Sequence, residues 1–193
     1  MSREICTTVF KFDELNDAAK KRARDWYRDG RMDYDDGWYE SVFEDARQCF
    51  TLAGIKIKQI YFSGFSSQGD GACLEGTWSA ADTKPVKAMK QHAPQDRELH
   101  RIASVLREVA KRDHTAFARV KHRGHYYHEY ETAFAVDSVK TDTEDAIIDA
   151  MRDAMRWIYR QLEKEHDYQS ADEQVDESIR INEYEFTEEG RIA

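Results

Sequence analysis

Two prolines and nine glycines in 193 residues, with no Ser-, Gly- or Pro-rich tract, exclude long disordered linkers and low-complexity tails. Nowhere do about 18 apolar residues run together, so no segment reads as a membrane-spanning helix. The charged opening MSREICTTVFKFDEL lacks the apolar stretch of a secretory signal, and the expectation is a cytoplasmic protein. Cysteine is scarce. Cys6, Cys49 and Cys73 are odd in number, far apart and without C-x-x-C spacing, which fits reduced, packed thiols rather than a disulfide framework or a zinc knuckle. No cofactor is expected. The length suits one α+β domain over residues 1–193, with an acidic C-terminal part, 163–193, packed on it.

Positive charge is also in deficit, with 29 Lys and Arg against 38 Asp and Glu, a net charge of -9. Between Glu163 and Glu189 stand eleven acids and two bases, so that segment alone carries a charge equal to the whole excess. A second acidic group comprises Asp33, Asp35, Asp36, Glu40, Glu44 and Asp45, whereas Lys84 to Arg112 holds eight bases and three acids. Segregated acidity can steer a protein toward basic patches on a partner, including patches that normally hold nucleic acid. The competing explanation is solvated helix faces.

Hydrophobic periodicity supplies the elements. Ile5–Phe12 alternates as a strand, and Asn16 caps a helix with Ala19, Ala23, Trp26 and Tyr27 on one stripe up to Gly30. Trp38, Tyr39, Val42, Phe43, Ala46, Cys49, Phe50 and Ala53 mark a second helix closed by Gly54. Ile55–Phe62 and Ala72–Ser79 form a hairpin around SGFSSQGDG. Pro85 suits the start of a short helix near Val86–Met89, and Pro94 that of a longer one with Leu99, Ile102, Ala103, Leu106, Val109 and Ala110 inward. A second hairpin joins Thr115–Lys121 to Glu129–Asp137. Lys121 opposite Glu129 would set Arg119 against Glu131 outside, with Val120 against Tyr130 and Ala118 against Thr132 in the core. Thr141-x-x-Glu144 and Ser170-x-x-Glu173 read as capping boxes for two further helices, the first striped by Ile147, Ile148, Met151, Met155, Ile158 and Leu162, the second by Val175 and Ile179. Glu183–Phe186 alternates as an edge strand. This order predicts an α+β fold: a mostly antiparallel sheet built from hairpins and covered by about four to five helices. A homodimer through an edge strand is compatible with it.

The segments FDELNDAAKKRARDWYRDG (Phe12–Gly30), YFSGFSSQGDGACLEGTW (Tyr61–Trp78), WIYRQLEKEHDY (from Trp157) and NEYEFTEEGR (to Arg191) together resemble a recurrent group of phage and prophage proteins. Several members carry the label "antitoxin of toxin-antitoxin stability system". The match spans nearly the whole chain in the same order, and SGF-SQGDGA is its most specific part. The resemblance implies a phage-type accessory protein acting on host enzymes, host defence or nucleic-acid metabolism, and it transfers no catalytic residues.

Ser66, Ser67, Gln68 and Asp70 form a polar loop able to present N–H groups and a carboxylate to a partner, the alternative being a loop bonded to its own backbone. It lacks the Gly-Lys-Ser/Thr ending of a P-loop. Glu75 could join Asp70 as a carboxylate pair. His122 and His128 face each other in the register given above, with His125 between them, and are the metal candidates, although no metalloprotease or deaminase signature surrounds them. No Ser lies in a G-x-S-x-G elbow. A basic region with Tyr126 and Tyr127 could hold nucleic acid, but the acidic balance argues against nucleic acid as the direct ligand. The expected function is that of a non-enzymatic protein that binds and inhibits a bacterial host or defence protein, with Ser66, Ser67, Gln68, Asp70, Asp172, Glu173, Asp176 and Glu177 in the interface. A cognate toxin is the alternative partner. A metal-assisted hydrolase of a nucleotide or signalling molecule, using Asp70, His122 and His128, is the alternative activity.

Overall fold

Side-chain caps and one glycine place several element ends in the computed structural model, which describes residues 8–30, 32, 37–138 and 141–193, Thr141 by its backbone only. Asn16 Oδ1 accepts the Ala19 N–H at 3.0 Å and opens α1 (Asp17–Gly30) where the spacing predicts. Trp38 and Tyr39 lie in a turn, so α2 (Glu40–Leu52) starts after them, and Gly54 ends the segment with φ +84°. β2 (Ile55–Phe62) and β3 (Ala72–Ser79) pair as the predicted hairpin with the predicted bounds. Pro85 immediately precedes α3 (Val86–His92). Pro94 does not open the next helix. Asp96 does, its Oδ1 accepting the Leu99 N–H at 2.9 Å ahead of α4 (Arg97–Arg112), whose six expected stripe residues are all buried.

The second hairpin differs from expectation in register. β4 (Phe117–His122) and β5 (Thr132–Asp137) pair antiparallel with Lys121 opposite Ala133 and His122 opposite Thr132, a slip of four residues. An even slip keeps Ala118 and Val120 in the core, facing Val136 and Phe134. Glu129 is drawn out of the ladder by a cation on α5 (Thr141–Ser170), leaving a nine-residue connection, 123–131. Tyr130, expected inside, is 61% exposed. Ser170 caps nothing: it ends α5, its hydroxyl donating to Asp167 O, and α6 (Asp172–Ile181) follows without a side-chain cap. The cap expected from the Thr141 side chain lies outside the described residues. So do residues 5–7 of the expected first strand. Of its described residues, 8–12, only Phe10–Lys11 are strand, β1, which pairs antiparallel with β6 (Glu185–Phe186) before a 3-10 turn over Phe12–Glu14.

The chain is thus an α+β protein with antiparallel sheets, and it divides into two compact units. Residues 40–163 hold a four-stranded sheet in the order β2-β3-β4-β5. Its inner face presents Ile55, Ile60, Leu74, Trp78, Ala118 and Val120, all at most 2% exposed, and helix residues Phe50, Leu99, Ile102, Leu106, Met151, Met155 and Ile158 are as deeply buried. Trp78 satisfies its indole N–H on Ala53 O at 3.0 Å. Residues 1–39 and 164–193 form the other unit. There Phe12, Leu15, Ala19, Ala23, Tyr27, Val175, Ile179 and Phe186 make one apolar cluster, ringed by ion pairs of Arg24 with Asp176, Arg28 with Asp172 and Arg180 with Asp13. No helix of the described residues is long and apolar enough to cross a membrane.

A Cβ on Gly54 would meet Thr83 Oγ1 at 2.5 Å and Ser79 O at 2.7 Å, and the positive φ adds its own cost of about 1–2 kcal/mol for an L side chain. Gly54→Ala should therefore destabilise by more than about 1 kcal/mol in a urea titration, whereas Gly30→Ala, with open space at its Cβ, should be neutral or slightly stabilising.

Candidate functional site

Antiparallel pairing brings the β2–β3 loop, 63–71, and the β4–β5 connection, 123–131, to the same end of the four-stranded sheet. The two loops are packed together. A Cβ on Gly71 would stand 2.9 Å from Tyr127 O and 3.1 Å from His128 Cδ2, so only glycine permits this approach. The first loop is stapled from within. Asp70 Oδ2 accepts the N–H groups of Ser67 (2.6 Å) and Ser66 (2.9 Å), and those bonds, Ser67 first, hold its carboxyl below the usual carboxylate range. Ser63 N–H donates to Gly71 O at 3.1 Å, and Tyr159 on α5 donates its hydroxyl to Gly64 O at 2.9 Å while stacking on Phe65. Ser66, Ser67 and Gln68 remain exposed at the tip.

The second loop is held by rings and by one buried carboxylate. Tyr127 stacks on Tyr61 of β2 at 5.5 Å, and the His122 ring lies 5.3 Å from Tyr61 with its Nε2 3.0 Å from Tyr126 O. His128 stacks on Tyr130, and its Nδ1 is 3.1 Å from Glu129 Oε2. Glu129, 8% exposed, takes a bond from Arg156 Nε at 2.9 Å. Arg156 also grips Asp153, which accepts from Arg101 at 2.7 Å. Over the surface stand Tyr126, 54% exposed, and Tyr130, whose ring carries the Arg152 guanidinium at 4.8 Å.

The residues singled out from sequence are thus partly assembled and partly dispersed. Asp70 and the His122–His128 segment do share one end of the sheet, but His122 and His128 do not face each other, and neither belongs to a trio of metal-ligating groups among the described residues. Glu75 stands opposite Gln59 and lines a groove of about 380 Å³ on the outer sheet face with Lys58 and Lys121. Burial pushes the Cys49 and Cys73 thiols up to about 12, which leaves neither a nucleophile at neutral pH. On α6, Asp172 and Asp176 are bound by Arg28 and Arg24, the Arg28 bond holding the Asp172 carboxyl below its usual range. Glu173 and Glu177 remain exposed. Tyr61 and Arg156 escaped the sequence, because each meets the loop only through tertiary packing, and Glu129 and Tyr130 were read as ladder positions of the second hairpin, not as loop residues.

Residues 38–172 match the family model described as a domain of unknown function, DUF8835. That is more than half of the chain, which therefore belongs to this family, and the matched segment contains the whole 40–163 unit with both loops. No curated protein and no solved structure matches the chain.

The lowered Asp70 value fixes the sign of a pH effect: the staple is intact above the unfolded carboxyl's pKa of about 3.9 and is lost as pH falls through the lower folded value. Asp70→Ala should speed amide exchange at Ser66 and Ser67 at neutral pH without unfolding the sheet, and the wild type should show the same local loosening only in acid. Unchanged exchange in the variant would refute the staple.

Proposed function

We propose that this member of the DUF8835 family is a non-enzymatic binding protein that engages its partner through the paired loops 63–71 and 123–131. One observation carries this: two loops packed side by side expose Tyr126 and Tyr130 while Asp70 and Glu129 are satisfied internally. Tyrosine gives a large contact area at low rotamer cost and is enriched in interface centres. Loops already stapled lose little entropy on binding. The likeness of the sequence to phage and prophage accessory proteins supports a bacterial host or defence protein, bound and inhibited in the cytoplasm, as that partner. A cognate toxin would use the same surface. Nucleic-acid mimicry through α6 is left with Glu173 and Glu177, since Asp172 and Asp176 are engaged by Arg28 and Arg24. The hydrolase alternative gains no support from His122 and His128, which are not cross-strand partners and belong to no trio of metal-ligating groups among the described residues.

Affinity capture of the tagged protein from bacterial lysate tests this, comparing wild type with Tyr126→Ala/Tyr130→Ala. The expected outcome is near-stoichiometric retention of one protein, weakened at least about tenfold by the double variant, which corresponds to about 1.4 kcal/mol or more. Retention insensitive to the tyrosines but lost in Glu173→Lys/Glu177→Lys would move the interface to α6.

A further inference from the structure

Away from the loops, three side chains of different chemistry meet between α2 and the end of α3. Asp45 and Cys49 are four residues apart on α2 and share one helix face. Cys49 Sγ lies 3.7 Å from Asp45 Oδ1, and His92, the last residue of α3, sets Nε2 3.6 Å from the same oxygen. All three ligand atoms fall within 4.8 Å of one another. In a tetrahedral site with Zn–S near 2.3 Å and Zn–N or Zn–O near 2.0–2.2 Å, ligand atoms stand roughly 3.3–3.7 Å apart. The sulfur–oxygen separation, where the Cys49 thiol now donates to Asp45, stands at the upper end of that range, and the nitrogen–oxygen separation is about 0.1 Å beyond the roughly 3.5 Å expected for that pair, whereas 3.6 Å is too long for a direct His–Asp hydrogen bond.

We propose that Asp45, Cys49 and His92 form a three-ligand site for Zn²⁺ or a similar borderline-soft divalent cation. Thiolate, imidazole and carboxylate together select such an ion over Mg²⁺ or Ca²⁺, which require oxygen ligands. Cys49 is 1% exposed and supplies the dry side, while the Asp45 and His92 side chains are 56% and 35% exposed, giving an entry path and a fourth position for water or an outside ligand. His92 also stands at a helix C-terminus, where the dipole favours a cation. Binding replaces the Cys49 proton, which leaves to solvent, and pins the seven-residue α3, too short to be stable alone, against α2.

The test titrates Zn²⁺ and Co²⁺ into the chelator-stripped full chain. One equivalent should bind, Co²⁺ should give a thiolate charge-transfer band, and Zn²⁺ should raise Tm. Cys49→Ala should abolish the band although Cys73 remains. His92→Ala, at a helix end where the side chain is about a third exposed and its loss does not threaten the fold, should weaken binding at least tenfold. Absence of the band in the wild type would overturn the proposal, as would equal affinity in wild type and His92→Ala, which would assign the ion to another place such as the histidines of loop 123–131.

Discussion

A carboxylate buried at the end of a hairpin must find a cation, and Glu129 finds Arg156. An uncompensated charge there would cost several kcal/mol, more than any single ladder position of β4 and β5 returns. The pair extends into a series of alternating charges, Glu129, Arg156, Asp153, Arg101, Glu98 and Arg160, that runs along α5 and α4. With Glu129 turned toward α5, the strands pair four residues further on, the connection lengthens, and Tyr127 is free to stack on Tyr61 while Tyr126 and Tyr130 reach solvent. The shape of the candidate surface follows from that one choice of partner.

Periodicity within a helix or strand was legible because it depends only on which face is buried. The stripes of α4 and α6, the Asn16 cap and the β2–β3 hairpin are local, and they stand where the sequence puts them. What was not legible depends on distant partners. Lys121 and Glu129 look like a cross-strand pair in one dimension, and the competing Arg156 is 27 residues away. Asp172 and Asp176 look like bare acidic surface until Arg24 and Arg28, about 150 positions earlier, bind them. Asp45 and Cys49 carry a local hint, their i, i+4 spacing, but His92 joins them only through the packing of α3. Ser170 carries the wrong hint: it matches a capping box yet is the last residue of α5.

The net charge of -9 therefore does not translate into a uniformly acidic surface. In the 1–39 and 164–193 unit some of the acids are paired locally, Asp176 with Arg24, Asp172 with Arg28 and Asp13 with Arg180. Part of the positive charge sits on the outer face of the sheet, at Lys56, Lys58, Arg119 and Lys121. The end of the sheet that presents the two loops is neither strongly acidic nor strongly basic at its tip. It offers rings and small polar groups, a composition enriched at protein interfaces.

The most direct measurement is native-state amide exchange at Arg123 and Glu131, whose N–H groups bond to Glu131 O and His128 O within the connection. It would be compared in wild type, Glu129→Gln, Arg156→Met and the double variant. If the buried pair sets the loop, each single change raises local exchange and the double change adds little, a coupling of more than about 1 kcal/mol. Independent, additive effects, or no effect at all, would contradict the account.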